Sequence, residues 1–137
     1  MSASYQTTRR VQFAETDAAG IIHFAAYFNM MEEAEHAWRR QLGHSVMTRD
    51  EVGVVSWPRA AASCQFRHPV KFEDELDIEV RLTRLGNTSL TCGFTFSHQG
   101  RCVAEGEMTS VCCRIVEGRP PKPMPIPGTL RALLNAT

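Results

Sequence analysis

Near the start of the chain, Tyr5, Thr7, Arg9, Val11 and Phe13 alternate with Gln6, Thr8, Arg10 and Gln12. A period of two predicts a strand, here with mixed faces. Residues 14–23 then gather acids, small residues and Gly20, which reads as a turn. From Phe24 the period changes. Phe24, Tyr27, Phe28, Met31, Ala34, Trp38 and Leu42 recur at helical spacing, and Asn29, Glu32, Glu33, His36 and Arg40 occupy the other side. No Pro or Gly interrupts this run until Gly43, which suits the residue just past a helix C-terminus. The breadth of the aromatic and Met surface suggests a helix that something wraps around.

After the helix, residues 44–53 read as a short helical turn and loop. Pro58 delays the next strand to about Arg59, and Pro69 ends it. Leu76, Ile78, Val80 and Leu82 alternate with Asp77, Glu79, Arg81 and Thr83, a half-buried strand. Gly86-Asn87 marks a hairpin turn, and Leu90, Cys92, Phe94 and Phe96 form its partner strand. His98-Gln99-Gly100 turns again into a third long strand over residues 102–115. Short turns between consecutive strands predict an antiparallel meander. Five prolines between 120 and 127 are expected to forbid regular structure in the tail, with a closing helical turn at 130–134. The expected class is α+β, one helix against one sheet, in a single domain over residues 1–137 whose end (118–137) is a Pro-rich tail.

Composition narrows this only a little. At 137 residues and 43% hydrophobic, the chain is long enough for one core without disulfides or a metal. Fifteen basic and fifteen acidic residues cancel, which argues against nucleic-acid or anionic-membrane binding through bulk charge. No apolar run approaches the ~20 residues of a membrane helix, and the first ten residues lack the apolar stretch of a secretory signal. The five cysteines (64, 92, 102, 112 and 113) are odd in number and form no C-x-x-C, so reduced thiols and a cytoplasmic location are expected. Cys112 and Cys113 would project to opposite sheet faces, and the histidines and cysteines show no zinc spacing.

Candidate chemistry concentrates in residues 11–24. Asp17 lies between a strand and the start of a mostly apolar helix, and Gly20 permits a tight path between them. The first N–H groups of a helix lack intrahelical partners and sit at the positive end of its dipole. That position suits a carbonyl oxygen becoming an oxyanion. An acid brought to the same point would suit acyl transfer to water. An Asp ahead of a helix is more often a cap or turn residue, so position alone leaves both readings open.

The run Phe13-Ala14-Glu15-Thr16-Asp17-Ala18-Ala19-Gly20-Ile21-Ile22-His23-Phe24, with Tyr27 and Glu32 following, closely resembles the hotdog-fold acyl-CoA thioesterases of the 4-hydroxybenzoyl-CoA thioesterase type. His68-Pro69-Val70-Lys71-Phe72-Glu73-Asp74-Glu75-Leu76 and Leu85-Gly86-Asn87-Thr88-Ser89-Leu90 also look like that family's strand connections. The resemblance extends to about Ile115. It implies an antiparallel sheet curled around one long central helix, with subunits paired edge to edge as homodimers that assemble into a tetramer. It also implies active sites at the subunit interface, hydrolysis of an acyl-CoA to free acid and CoA, and neither metal nor cofactor.

Asp17 matches the family's catalytic carboxylate, and the helix start near His23 and Phe24 matches the N–H that polarises the thioester carbonyl. Asp17 then has two open roles, direct attack on the thioester or general-base activation of water. His23 is either a donor or shuttle near the carbonyl or a polar helix-start residue. Gly20 and Phe24 belong to the expected substrate site. Tyr27 either lines an acyl pocket or packs in the core. Glu32 reads as a solvated helix acid, paired with His36 one turn on, and Thr16 as a turn support. Arg59, Arg67, His68, Lys71 and Arg84 are candidates for CoA phosphates, though each alone also suits a solvated face. The alternative function is a non-catalytic acyl-CoA-binding or regulatory module, which has no need of Asp17. A hydratase would require an Asp-plus-His loop that is not found. The acyl group is left open.

Overall fold

The computed structural model describes residues 3–136. Its main sheet is antiparallel, with strand order β1 (Ser4–Arg10), β5 (Glu75–Leu85), β6 (Ser89–His98), β7 (Arg101–Val111) and β4 (Arg59–Phe66). Alternation explains β5: Leu76, Ile78 and Val80 face the core, and their neighbours Asp77 and Glu79 do not. Phe94 and Phe96 on β6 and Ala104 and Met108 on β7 extend the same inner face.

Helix α1 (Ala26–Gln41) buries Tyr27, Met30, Met31, Ala34 and Trp38 within that core. Gly106 on β7 lets it approach closely, since a Cβ there would lie 2.5 Å from the Met31 sulfur. The helix ends as expected. Gly43 has φ +78°, its N–H donates to the Arg40 carbonyl, and the His44 N–H donates to that of Arg39. This pair of bonds is the Schellman closure of a helix C-terminus.

The predicted α+β class and the antiparallel meander are present, with several departures in detail. The first strand stops at Arg10, and Phe13–Glu15 form a 3₁₀ turn closed by reciprocal bonds between Gln12 and Glu15. Residues 44–53 hold no helical turn. They contain β2 (Thr48–Arg49), joined to β3 (Val54–Ser56) through a turn in which the Asp50 carboxylate accepts the Val52 and Gly53 N–H groups.

The expected long strand over 102–115 breaks at Cys112, whose N–H donates to the Thr88 carbonyl and whose carbonyl accepts the Met124 N–H. The chain thereby leaves the main sheet, and β8 (Cys113–Ile115) pairs instead with β3 and with β9 (Lys122–Pro123). Cys112 and Cys113 consequently do not alternate along one strand as expected, and both are buried. The tail is also more ordered than its prolines suggested. It forms β9 and α2 (Gly128–Ala136), which buries Leu130 and Leu134. A second small sheet and a second helix therefore accompany the expected pair.

Candidate active site

Between β1 and α1 the chain folds back on itself. The Asp17 N–H donates to the Ile21 carbonyl at 2.8 Å, the Gly20 N–H to the Asp17 carbonyl at 2.9 Å, and the His23 N–H to the Glu15 carbonyl at 2.7 Å. Gly20 makes the turn at φ +81°, and a Cβ there would touch nothing within 4 Å, so conformation alone calls for glycine. The Ile22 N–H reaches the Val70 carbonyl at 2.8 Å, which ties this loop to the segment following β4.

Asp17 Oδ1 accepts the Ala19 N–H at 2.9 Å and the Ile21 N–H at 3.4 Å. Oδ2 has no partner among the described residues. Asp17 is exposed in the single chain, yet it stands on the wall of a cavity of about 440 Å³ together with Ile21, Phe24, Tyr27, Phe66 and His68. The acid and the helix start therefore meet at one place.

The helix start narrows the choice of donor. The N–H groups of Ala26, Tyr27 and Phe28 donate to the carbonyls of His23, Phe24 and Ala25, and that of Ala25 to His23 Nδ1 at 3.3 Å. Among the described residues, the Phe24 N–H has no acceptor. It sits at the positive end of α1, on a residue that lines the cavity. His23 Nδ1 accepts the Ala25 N–H just ahead of α1, its ring packs 4.7 Å from that of Phe24, and it does not line the cavity.

Three rings form the apolar side. Phe66 lies 5.6 Å from Tyr27 and 6.2 Å from Phe24, and Tyr27 also meets Phe96 at 5.0 Å. Tyr27 therefore both lines the cavity and packs in the core. Its hydroxyl is buried with no hydrogen-bond partner among the described residues, and burial pushes its pKa up to about 12.

Of the basic candidates, Arg67 and His68 reach the cavity, although Arg67 is held by Glu105 at 3.0 Å. Lys71 pairs with Asp74, and Arg84 is an exposed residue of β5 away from the cavity lining. Arg59 joins Glu35 at 2.9 Å and Glu32 at 3.4 Å, so the partner of Glu32 is Arg59 and not His36. Thr16 Oγ1 donates to the Phe13 carbonyl and supports the turn. Among the described residues, no group of three or more His, Cys, Asp and Glu is placed to hold a metal ion. Among the same described residues, no helix is long and apolar enough to cross a membrane.

Residues 11–134 match the thioesterase-like superfamily. The chain belongs to this superfamily. Among its relatives, a 1,4-dihydroxy-2-naphthoyl-CoA hydrolase of Synechococcus elongatus is 29% identical over 136 residues, covering 98% of each chain. A solved gentisyl-coenzyme A thioesterase superposes with a TM-score of 0.82 at 29% identity, covering 95% of this chain and 99% of that one. The fold of a Synechocystis 1,4-dihydroxy-2-naphthoyl-CoA thioesterase matches with a TM-score of 0.87 at 24% identity, over 97% of this chain and 96% of that one.

In this thioesterase-like chain, sequence reasoning missed Phe66 as a cavity residue, and gave no site role to Ile21, Ile22 or Pro69, which also line the cavity. The one signal for Phe66 was its place at the end of a strand, directly before Arg67-His68-Pro69. The helix pattern also passed over Glu35 and Arg39, which are both buried. Their signal was an acid and a base one turn apart on the face that carries Met31 and Trp38.

Proposed function

We propose that this thioesterase hydrolyses an aromatic acyl-CoA to the free acid and CoA, with the Asp17 carboxylate acting at the thioester carbonyl. One observation carries the reading. An acid with an unpartnered oxygen and a helix-start N–H with no acceptor share the wall of a cavity whose apolar side is three aromatic rings. The relatives named above act, by their names, on hydroxylated aromatic acyl-CoAs. Rings of Phe24, Tyr27 and Phe66 suit a flat aromatic acyl group through edge-to-face and offset contacts.

The chemistry runs by either of two balanced routes. In the first, an Asp17 oxygen attacks the carbonyl carbon and the C–S bond breaks. CoA leaves as the thiolate, and water then cleaves the mixed anhydride. In the second, Asp17 takes a proton from water as the water oxygen attacks the carbonyl carbon, the C–S bond breaks, and the departing CoA thiolate takes up that proton. In both, the Phe24 N–H, aided by the α1 dipole, stabilises the developing oxyanion. His23 shapes this helix start by accepting the Ala25 N–H, and Gly20 makes the turn that brings Asp17 to it.

We read the fold as the hotdog arrangement, with the main sheet wrapped on α1. We place the subunit contact at the outer edge of β4, where Ala60, Ala61, Ala62 and Ser63 are exposed and no strand of the described residues pairs. A second copy paired there would wall the cavity beside Phe66. Dimers, and tetramers built from them, are the expected assembly, so a fully active monomer would contradict it.

The deciding experiment is a panel of benzoyl-, phenylacetyl-, gentisyl- and 1,4-dihydroxy-2-naphthoyl-CoA beside acetyl-, hexanoyl- and palmitoyl-CoA, with a thiol reagent reporting CoA release. Preference for the aromatic thioesters is expected. Binding without hydrolysis of any of them would favour an acyl-CoA-binding module instead. A single turnover in oxygen-18 water separates the routes, since label appearing in Asp17 identifies direct attack.

A further inference from the structure

We infer that Arg9, acting through Glu15 and Glu33, is a positioning residue that holds Asp17 in register with the Phe24 N–H; this rests on the reading of the cavity given above. None of the three lines the cavity. They nevertheless join β1, the 3₁₀ turn and α1, the elements on either side of the segment that carries Asp17 and Phe24.

Arg9 is on β1, and each of its three guanidinium nitrogens donates a hydrogen bond. Nε and Nη2 form a fork onto the two oxygens of Glu33 on α1, at 2.8 and 3.1 Å. Nη1 donates to Glu15 Oε1 at 2.6 Å and to the Arg10 carbonyl at 3.0 Å. A planar guanidinium meeting two carboxylates in this way fixes direction as well as distance, which a lysine ammonium cannot do.

Glu15 relays the constraint. Its Oε1 also accepts the Gln12 N–H at 2.7 Å, which sets the 3₁₀ turn, and its carbonyl accepts the His23 N–H at 2.7 Å. Asp17 follows Glu15 closely in the chain, and Phe24 follows His23 directly. One residue therefore anchors both ends of the segment that carries the acid and the oxyanion donor, and Arg9 locks that residue to the helix. A displacement of about 1 Å between such groups is enough to cost ~100-fold in rate.

The two halves of the clamp differ in weight. The Glu15 side chain is 15% exposed and that of Arg9 22%, whereas Glu33 is 54% exposed and more screened by water. Loss of Glu15 should therefore matter more than loss of Glu33.

The test compares Glu15→Gln, Arg9→Lys and Glu33→Gln with the wild type, with Asp17→Asn run in parallel. Three quantities are read: kcat and KM on the panel aryl-CoA turned over fastest, thermal midpoint, and amide hydrogen exchange. For Glu15→Gln and Arg9→Lys, kcat should fall about tenfold or more with KM within about twofold. Exchange should accelerate at residues 17–24 and not in β5–β7. Glu33→Gln should show a smaller fall.

Unchanged kcat in both Glu15→Gln and Arg9→Lys, while Asp17→Asn is inactive, would overturn the clamp and leave the proposed function standing. So would acceleration of exchange throughout the sheet together with a matching loss of thermal stability, because that is the mark of a purely structural ion pair. An active Asp17→Asn enzyme would sink the functional reading instead, and the exchange pattern would still decide whether Arg9 orders the segment.

Discussion

The ring of Tyr27, in the first turn of α1, lies 5.6 Å centroid to centroid from that of Phe66, the last residue of β4. This contact joins the helix start to the end of an edge strand, and with Phe24 it gives the cavity its apolar wall. Removing the Phe66 ring should weaken aryl-CoA binding without touching the chemistry. We expect Phe66→Ala to raise KM about tenfold, equivalent to ~1.4 kcal/mol, with kcat within a few-fold. Steady-state kinetics on an aryl-CoA check this, and an unchanged KM would remove Phe66 from the acyl site.

Burial also makes the protein sensitive to alkali. It pushes Tyr27 up to about 12 and Cys64 and Cys112 up to about 11. The fold favours the neutral form of each group, so the unfolded chain ionises first as pH rises. The stability they contribute is complete below about pH 9 and is lost as pH passes through about 11 to 12. Thermal midpoints should stay level on this account to about pH 9 and then fall. Tyr27→Phe and Cys64→Ala should each shallow that decline. A midpoint level through pH 11.5, or variants that track the wild type, would contradict it.

Two glycines are needed for different reasons, and one substitution series separates them. At Gly106 a Cβ would lie 2.5 Å from the Met31 sulfur and 3.1 Å from the Ser63 carbonyl oxygen, so Gly106→Ala should cost about 1–3 kcal/mol by overpacking. Pairing it with Met31→Ala should recover part of that loss. At Gly20 nothing obstructs a side chain and φ is +81°, so Gly20→Ala should cost about 1 kcal/mol and no Met31 variant should relieve it. Thermal or urea unfolding reads both. Equal response of the two variants to Met31→Ala would refute the distinction.

The buried charges of α1 give a fourth prediction. Glu35 lies 2.9 Å from Arg59 and 4.0 Å from Arg39, whose guanidinium rests 4.3 Å from the Trp57 ring with two terminal nitrogens unpartnered. Glu35→Leu alone strands a buried cation and should cost about 3–5 kcal/mol. The Glu35→Leu, Arg39→Met double variant should be more stable than that single variant. Urea denaturation checks the order, and a double variant weaker than the single would show that Arg39 is stabilised chiefly by Trp57.

What the sequence makes legible here follows the range of the interactions. β5 and α1 declare themselves because Leu76, Ile78 and Val80, or Met31, Ala34 and Trp38, repeat at the period of the element they form. β2 and β9 are two residues each and have no period to show. Antiparallel pairing with β3 and β8 holds them, Thr48 opposite Val55 and Pro123 opposite Cys113. The break at Cys112 depends on Thr88 and Met124, both distant in the chain, and no local pattern marks it. The site divides in the same way. Asp17, Gly20 and Phe24 form one contiguous stretch that can be read directly, whereas Phe66 and Arg9 join it only through tertiary contacts.

Turnover by Asp17→Asn tests the central chemistry most directly. Asparagine keeps the oxygen that accepts the Ala19 and Ile21 N–H groups, so the loop should hold its shape and the thermal midpoint should barely move. The account predicts kcat lower by about 100-fold or more, with aryl-CoA still bound. A folded Asp17→Asn enzyme turning over within about twofold of the wild type would contradict it.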